Sequence, residues 1–535
     1  MPKTLPRFLI CLLVFVAMIL LVEQVFGIWF ETNDDVGMMM MAHGFGVAGE
    51  ATPLLLFSSL WQGYIVQALG WPFGFPGYGV YLMGALAIAL AAQAAFLGEL
   101  TGRVWLSLLL VAALAVRPVF APQFTVIAGY LAAASFLALL AYQARPRLSV
   151  LLSAATLAFA SFLMREHIFV LAALVAAPLV LRVPLLRDRR AWAVAGGVVA
   201  LAVVARLHHQ SVLDGPEWAG FVAQNLPRAL FTDFNLTPHV LASPEAMRAA
   251  GWSVNDVRLL EMWWLADPAL AGPGPLRAAI DVVGVGSIFG LDAARLALLG
   301  DELTRPDLLA AVLATLLAGI TLRGAGLLRL LAGSVALVAL ALLITASGRL
   351  DISRVYFPVL VMLALLAAAA VPRRVWTALP IGLAAVVAGW LSLGNHIPVA
   401  RAVAASLPDI QAVLSRAEPG RVHVVWGDTL PFQRLYPPLA RRDSMSALRL
   451  YGIGSASYAG YALARFGGDP SGVVTALRSA EGVSLFAYHA GIPLLRTYCA
   501  ERYQGELQVE PLAEAPRFLF GIFRCRPIDA ATPSR

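Results

Sequence analysis

Lysine is almost missing: Lys3 is the only one in 535 residues. That removes lysine Schiff-base chemistry and the phosphate-loop lysine, and no G-x-x-x-x-G-K stretch occurs. Three cysteines, Cys11, Cys499 and Cys525, are too few for a disulfide scaffold or an iron–sulfur protein. Charge is scarce as well. Only 13% of residues are charged against 60% hydrophobic, and the mean hydropathy is +0.77. Such a chain is too apolar for a set of soluble domains and reads as a polytopic membrane protein. The formal charge of +7 comes from arginines in small groups between apolar segments. That is the positive-inside pattern, not a nucleic-acid surface, so no nucleic-acid partner is expected.

What is present starts with Phe8 to Phe30, apolar and long enough to span a bilayer behind Lys3 and Arg7. No small-residue cleavage site follows, so it reads as a retained anchor with its amino end in the cytoplasm. Further spans are expected near 78–97, 104–120, 123–142, 149–164, 168–182, 191–207, 307–322, 330–346, 357–371 and 375–394, about eleven in all. With this orientation the inner connections hold Arg103, Arg145, Arg147, Arg182, Arg187, Arg189, Arg190, Arg323, Arg329, Arg373 and Arg374. The short outer ones hold little more than Arg117, Arg165, Arg349 and Arg354.

The expected architecture is an all-α polytopic membrane domain over 1–396 and a C-terminal extracytoplasmic α/β domain over 397–535. Two outer loops interrupt the first, 31–77 and 208–306. The first contains no Lys or Arg, and Leu54 to Trp71 has the aromatic mixture of an interfacial helix. In the C-terminal domain, Arg421 to Trp426, Gly482 to Tyr488, Gly505 to Pro511 and Phe518 to Cys525 read as strands, and Val473 to Ala480 as a helix. Cys499 and Cys525 either pair there or remain free buried thiols.

Directly after the first span stand Glu31-Thr32-Asn33-Asp34-Asp35. A carboxylate pair at a membrane surface suits general-base catalysis on a hydroxyl attacking a lipid-borne substrate; two solvated acids capping a helix are the plain alternative. One carboxylate serves as base, and its neighbour orients it or raises its basicity by like-charge repulsion. Arg117, Arg165, Arg349 and Arg354 bring guanidinium forks to the same depth and suit a diphosphate or phosphodiester. The alternative is snorkelling to headgroups or pairing with Glu166 or Asp351. His43, His167, Asn255 and Asp256 are further candidates for substrate binding. Trp263-Trp264 either stacks on a sugar or marks the bilayer surface.

A Thr-Asn-Asp-Asp stretch in the first outer loop resembles the acidic signature of the GT-C superfamily of integral-membrane glycosyltransferases. It is similar above all to a bacterial branch with Asn-Asp-Asp-x-x-Met, here Asn33 to Met38. The resemblance implies a polyprenyl-phosphate-linked sugar as donor, an extracytoplasmic glycan, lipid or protein acceptor, and inversion at the anomeric carbon. It implies Asp34 as base with Asp35 in support, arginines on the phosphate, and a bacterial inner-membrane location. Some members use a divalent metal, with extra acidic motifs for which Asn255-Asp256 and Asp267 are the only comparable candidates. No metal-ligand spacing organises His43, Glu50, His167, His208 and His209, so no cofactor is expected. Two rival readings are a lipid-linked glycan flippase or transporter and a polysaccharide polymerase or ligase.

Overall fold

The computed structural model describes residues 4–349, 352–373, 378–442 and 448–527; Lys3, Asp351, Arg374 and positions 375–377 of the last expected span lie outside them. Eight described helices are long and apolar enough to cross a membrane, and two shorter apolar ones, Val104–Leu114 and Pro306–Gly319, accompany them. Helix Phe124–Ala144 is buried along nearly its whole length. By contrast, α1 (Thr4–Phe26), Arg189–Leu213 and Gly324–Ala346 turn many apolar side chains outward, as lipid-facing helices do. Gly129 brings the central helix close to its neighbour: a Cβ there would lie 2.4 Å from Pro358 Cβ.

One expected span needs correction. The stretch 104–120 breaks at Ala115 into Val104–Leu114 and Val116–Phe120. Pro118 cannot donate to the carbonyl of Leu114, and the Tyr130 hydroxyl takes that carbonyl instead. The run Leu148–Val180 is helical except at Arg165, whose φ of −159° and ψ of 92° turn the chain. Ser161 donates to the Ala128 carbonyl and Ser135 to that of Ala154. Gln143 reaches the carbonyl of Val180. One arm therefore runs antiparallel to Phe124–Ala144 and the other parallel, as 149–164 and 168–182 anticipate, with Arg165 at the tip of a hairpin.

The expected interfacial helix is shorter than Leu54 to Trp71, covering Leu60–Leu69 behind a Ser59 cap. At the opposite end of the bundle Arg147 pairs with Glu99, and Arg373 donates to the carbonyls of Glu99 and Leu100 at 3.0 and 2.9 Å. The basic connections thus gather away from Asp34.

Helix Ala378–Leu414 runs unbroken through residue 396 into the C-terminal region. There five strands form one sheet: β1 (Val422–Trp426), β2 (Arg449–Ile453), β3 (Val483–Tyr488), β4 (Gly505–Ala515) and β5 (Phe518–Pro527). Their order is β2-β1-β3-β5-β4. The first three are mutually parallel, and β5 and β4 close the edge antiparallel. Four strands and helix Gly472–Arg478 match the sequence expectation. Strand β2 is additional to the expected set, because five residues with an internal Gly452 give too short a pattern to stand out. Cys499 and Cys525 are disulfide-bonded, tying helix Gly491–Tyr503 to β5.

Candidate active site

Three consecutive residues at the start of α2 (Asn33–His43) do three different jobs. Asn33 holds the C-terminal region, donating to the Leu430 carbonyl and accepting from Gln433 N–H, each at 3.2 Å. Asp35 is fully buried and faces the bundle. Its carboxylate accepts from the Tyr78 hydroxyl at 2.9 Å, Phe124 N–H at 3.1 Å and the Thr32 hydroxyl at 3.0 Å. Asp34, between them, faces open space. A helix steps side chains by about 100° per residue, so neighbouring side chains in one turn point apart.

Burial pushes the Asp35 carboxyl up to about 8, against the pull of its hydrogen bond from Tyr78. The carboxyl of Asp34 is also raised, first by its distance from bulk solvent, while Arg354 and then Arg165 draw it back. The like charge acting on it is Asp233. Between the two neighbours the like-charge effect falls on Asp35, which the Asp34 carboxylate raises further.

Two cavities meet at Asp34. The larger, about 650 Å³, is lined by Arg165, Arg228, Arg349 and Arg354, with Asp233 and His167. Arg354 Nη1 lies 3.5 Å from Asp34 Oδ2. Four guanidinium groups against the carboxylates of Asp34 and Asp233 leave two positive charges in excess. Burial lowers Arg228 and Arg349 from their ordinary values; Asp233 opposes this in both, and Arg354 adds to it for Arg349. An anionic ligand would relieve that crowding. The smaller cavity, about 420 Å³, runs from Asn33, Asp34 and Met38 to Asp428, Ser455 and Tyr488 of the sheet region. Asp34, Phe57, Trp263 and Ser455 line both.

The remaining candidates separate. Arg165 donates to the Phe57 carbonyl at 2.8 Å and stacks on Phe57 and Phe124 at the chamber wall. Arg349 sits over the Phe234 ring. Arg117 is elsewhere: it grips Glu31 through two bonds, at 2.7 and 3.1 Å, and Ser353 at 3.0 Å. His43 lines neither cavity; it accepts from Tyr78 N–H at 3.2 Å and packs on Trp71, and burial lowers it to about 4. Asn255 and Asp256 pin the second outer loop to the C-terminal region through the Leu494 carbonyl and Arg502. Asp256 also closes a capping box with Ser253, which explains that local sequence. Asp267 accepts from Tyr498 at 2.6 Å. Among the described residues no group of three His, Cys, Asp or Glu is placed to hold a metal.

Sequence reasoning missed Arg228, Asp233, Asp428 and Tyr488. Arg228 and Asp233 lie in a polar stretch of a long loop that looks like many others, and no spacing signals them. The two tryptophans divide. Trp264 is buried against Trp426, while Trp263 lies beneath Arg228 in the cavity wall. Trp263 has φ +65°, a conformation costing a bulky residue about 1–3 kcal/mol and concentrated at functional positions.

Fold and site together define a class: a polytopic helical membrane protein whose α/β region closes over a charged cavity at one end of the bundle. No family model and no curated protein matches the chain. Among solved structures it is similar to ArnT from Cupriavidus metallidurans in the apo state, at 13% identity over 98% of this chain and 99% of that one, with a TM-score of 0.41. The structure of that protein bound to undecaprenyl phosphate matches at 14% identity, with the same coverage and a TM-score of 0.37.

Proposed function

We propose that the chain is a membrane glycosyltransferase of the GT-C type that moves a sugar from a polyprenyl-phosphate carrier to an acceptor outside the cytoplasm. The observation that carries this is the partly exposed carboxylate of Asp34 at the rim of a chamber with surplus guanidinium charge. In the reaction, Asp34 takes the proton from the acceptor hydroxyl or amine. The freed electron pair forms the new bond to the anomeric carbon, and the bond from that carbon to the phosphate oxygen breaks. The electrons leave with polyprenyl phosphate, and the anomeric centre inverts. Arg165, Arg228, Arg349 and Arg354 stabilise the departing phosphate, an effect strengthened where water is excluded. Asp35 acts as a positioning residue, fastening α2 to Tyr78 and Phe124. The disulfide supports an oxidising compartment for the C-terminal region, and the basic connections at the other end support a cytoplasmic face there.

The test is incubation of the purified chain with a panel of polyprenyl-phosphate sugars and candidate acceptors, reading the release of free polyprenyl phosphate. Release by wild type that is lost in Asp34→Asn is expected. Movement of the intact lipid-linked sugar across vesicles without release would replace this reading with a flippase.

A further inference from the structure

The cavities on the two sides of Asp34 are sorted by charge. Among the described residues every lining arginine belongs to the larger one, and the smaller has no Lys, Arg or His in its wall and holds the carboxylates of Asp34 and Asp428. Aromatic and small residues line part of it, Trp263, Tyr461 and Tyr488 with Gly454 and Ser455, while Met38, Met40, Met41, Val47, Leu56 and Ile453 give the rest of the wall an apolar surface. The sheet sets this composition. Gly427 and Asp428 follow β1, Gly454 and Ser455 follow β2, and Tyr488 ends β3, so the carboxyl ends of three parallel strands open into one space. Parallel sheets bind ligands at that edge.

We propose that this smaller chamber is the acceptor subsite, and that it accepts a sugar or similar polyol that is uncharged or bears an amine near the attacking atom, excluding phosphate and carboxylate. The proposal rests on the donor phosphate lying in the arginine chamber. Inversion requires the nucleophile to approach opposite the leaving phosphate, with the base beside it. With Asp34 at the seam, that approach comes from the strand ends.

Asp428 sets the charge preference. It is held by Tyr488, whose hydroxyl donates to its carboxylate and accepts from its backbone N–H at 2.8 Å. A fixed carboxylate accepts from hydroxyl or ammonium groups and repels anions. The aromatic rings offer faces to the C–H surface of a sugar. The glycine-rich turn after β2 resembles an anion cradle only in composition. Gly454 N–H is bonded to Ser457 Oγ at 2.8 Å and Ser457 N–H to the Gly454 carbonyl at 3.1 Å, so the turn closes on itself.

Saturation-transfer NMR on the full chain in detergent, with undecaprenyl phosphate present, tests this with methyl glucoside, glucosamine, glucose 6-phosphate and glucuronate. Wild type is expected to bind the first two at least about tenfold more tightly than the anions. Asp428→Asn should bring glucosamine level with methyl glucoside, and Asp428→Lys should admit glucose 6-phosphate. Undecaprenyl phosphate binding, unchanged in both variants, reports that they are folded. Anions bound as well as neutral sugars, no sugar bound at all, or a preference indifferent to position 428 would overturn the inference while leaving the donor reading intact. Failure of wild type to bind undecaprenyl phosphate would remove both.

Discussion

The two chambers that meet at Asp34 are built from different material. The arginine chamber is assembled from turns between membrane helices and the second outer loop: one guanidinium comes from the turn at Arg165, two from the connection carrying Arg349 and Arg354, and one from Arg228 in the loop. The strand-end chamber is assembled from α2 and the edge of a sheet, which contributes backbone turns, aromatics and one carboxylate. Positive charge held in a water-poor pocket gains strength that it would lose in bulk solvent. A sheet edge offers shape and hydrogen bonds more readily than charge. One chamber is therefore suited to grip a phosphate and the other to choose what attacks.

The largest break in that comparison is Asp34→Asn. It should lower turnover by about 10²–10⁴ while undecaprenyl phosphate binding, read by tryptophan fluorescence, stays within about twofold. Next comes the pair Arg349→Gln with Arg354→Gln. Each charge-assisted hydrogen bond is worth about 1.5–3 kcal/mol, so undecaprenyl phosphate affinity should fall by at least about tenfold. Sugar binding at the strand ends should hardly move, and equal loss at both would mean that the chambers are not independent.

A smaller effect is expected at the seam between bundle and sheet region. A Cβ on Gly79 would lie 1.7 Å from the Pro438 carbonyl oxygen, closer than any side chain tolerates. Gly79→Ala should cost about 1–3 kcal/mol, visible as a lower unfolding temperature in detergent. The last variant, Asp35→Asn, is read by its dependence on pH. The raised carboxyl of Asp35 favours the folded state most below its unfolded value. That contribution is lost as pH rises through about 8. Thermal unfolding of wild type relative to Asp35→Asn should therefore worsen steadily between about pH 5 and 8; a gap independent of pH would show Asp35 to be ionised throughout.

Much of the fold was legible because apolar length and arginine placement are local properties. Span positions, the turn at Arg165 and four strands can be read from their own residues. The site was legible only in part. Asn33, Asp34 and Asp35 stand out together, but their separate roles depend on what lies across from them: Leu430 and Gln433 for the first, two cavities for the second, Tyr78 and Phe124 for the third. Arg117 has the same sequence signature as Arg165. Only its pairing with Glu31 removes it from the chamber.

By itself the sequence determined that this is a helical membrane protein with an α/β region near its end and an acidic stretch after its first span, because hydrophobic length and periodicity act over short distances. Tertiary structure decided which carboxylate lines the cavities, which arginines share one of them, and that Asp428 and Tyr488 lie with Asp34 in the wall of the other from far along the chain. Those relations join residues hundreds of positions apart, and only the packing of helices against the sheet brings them together.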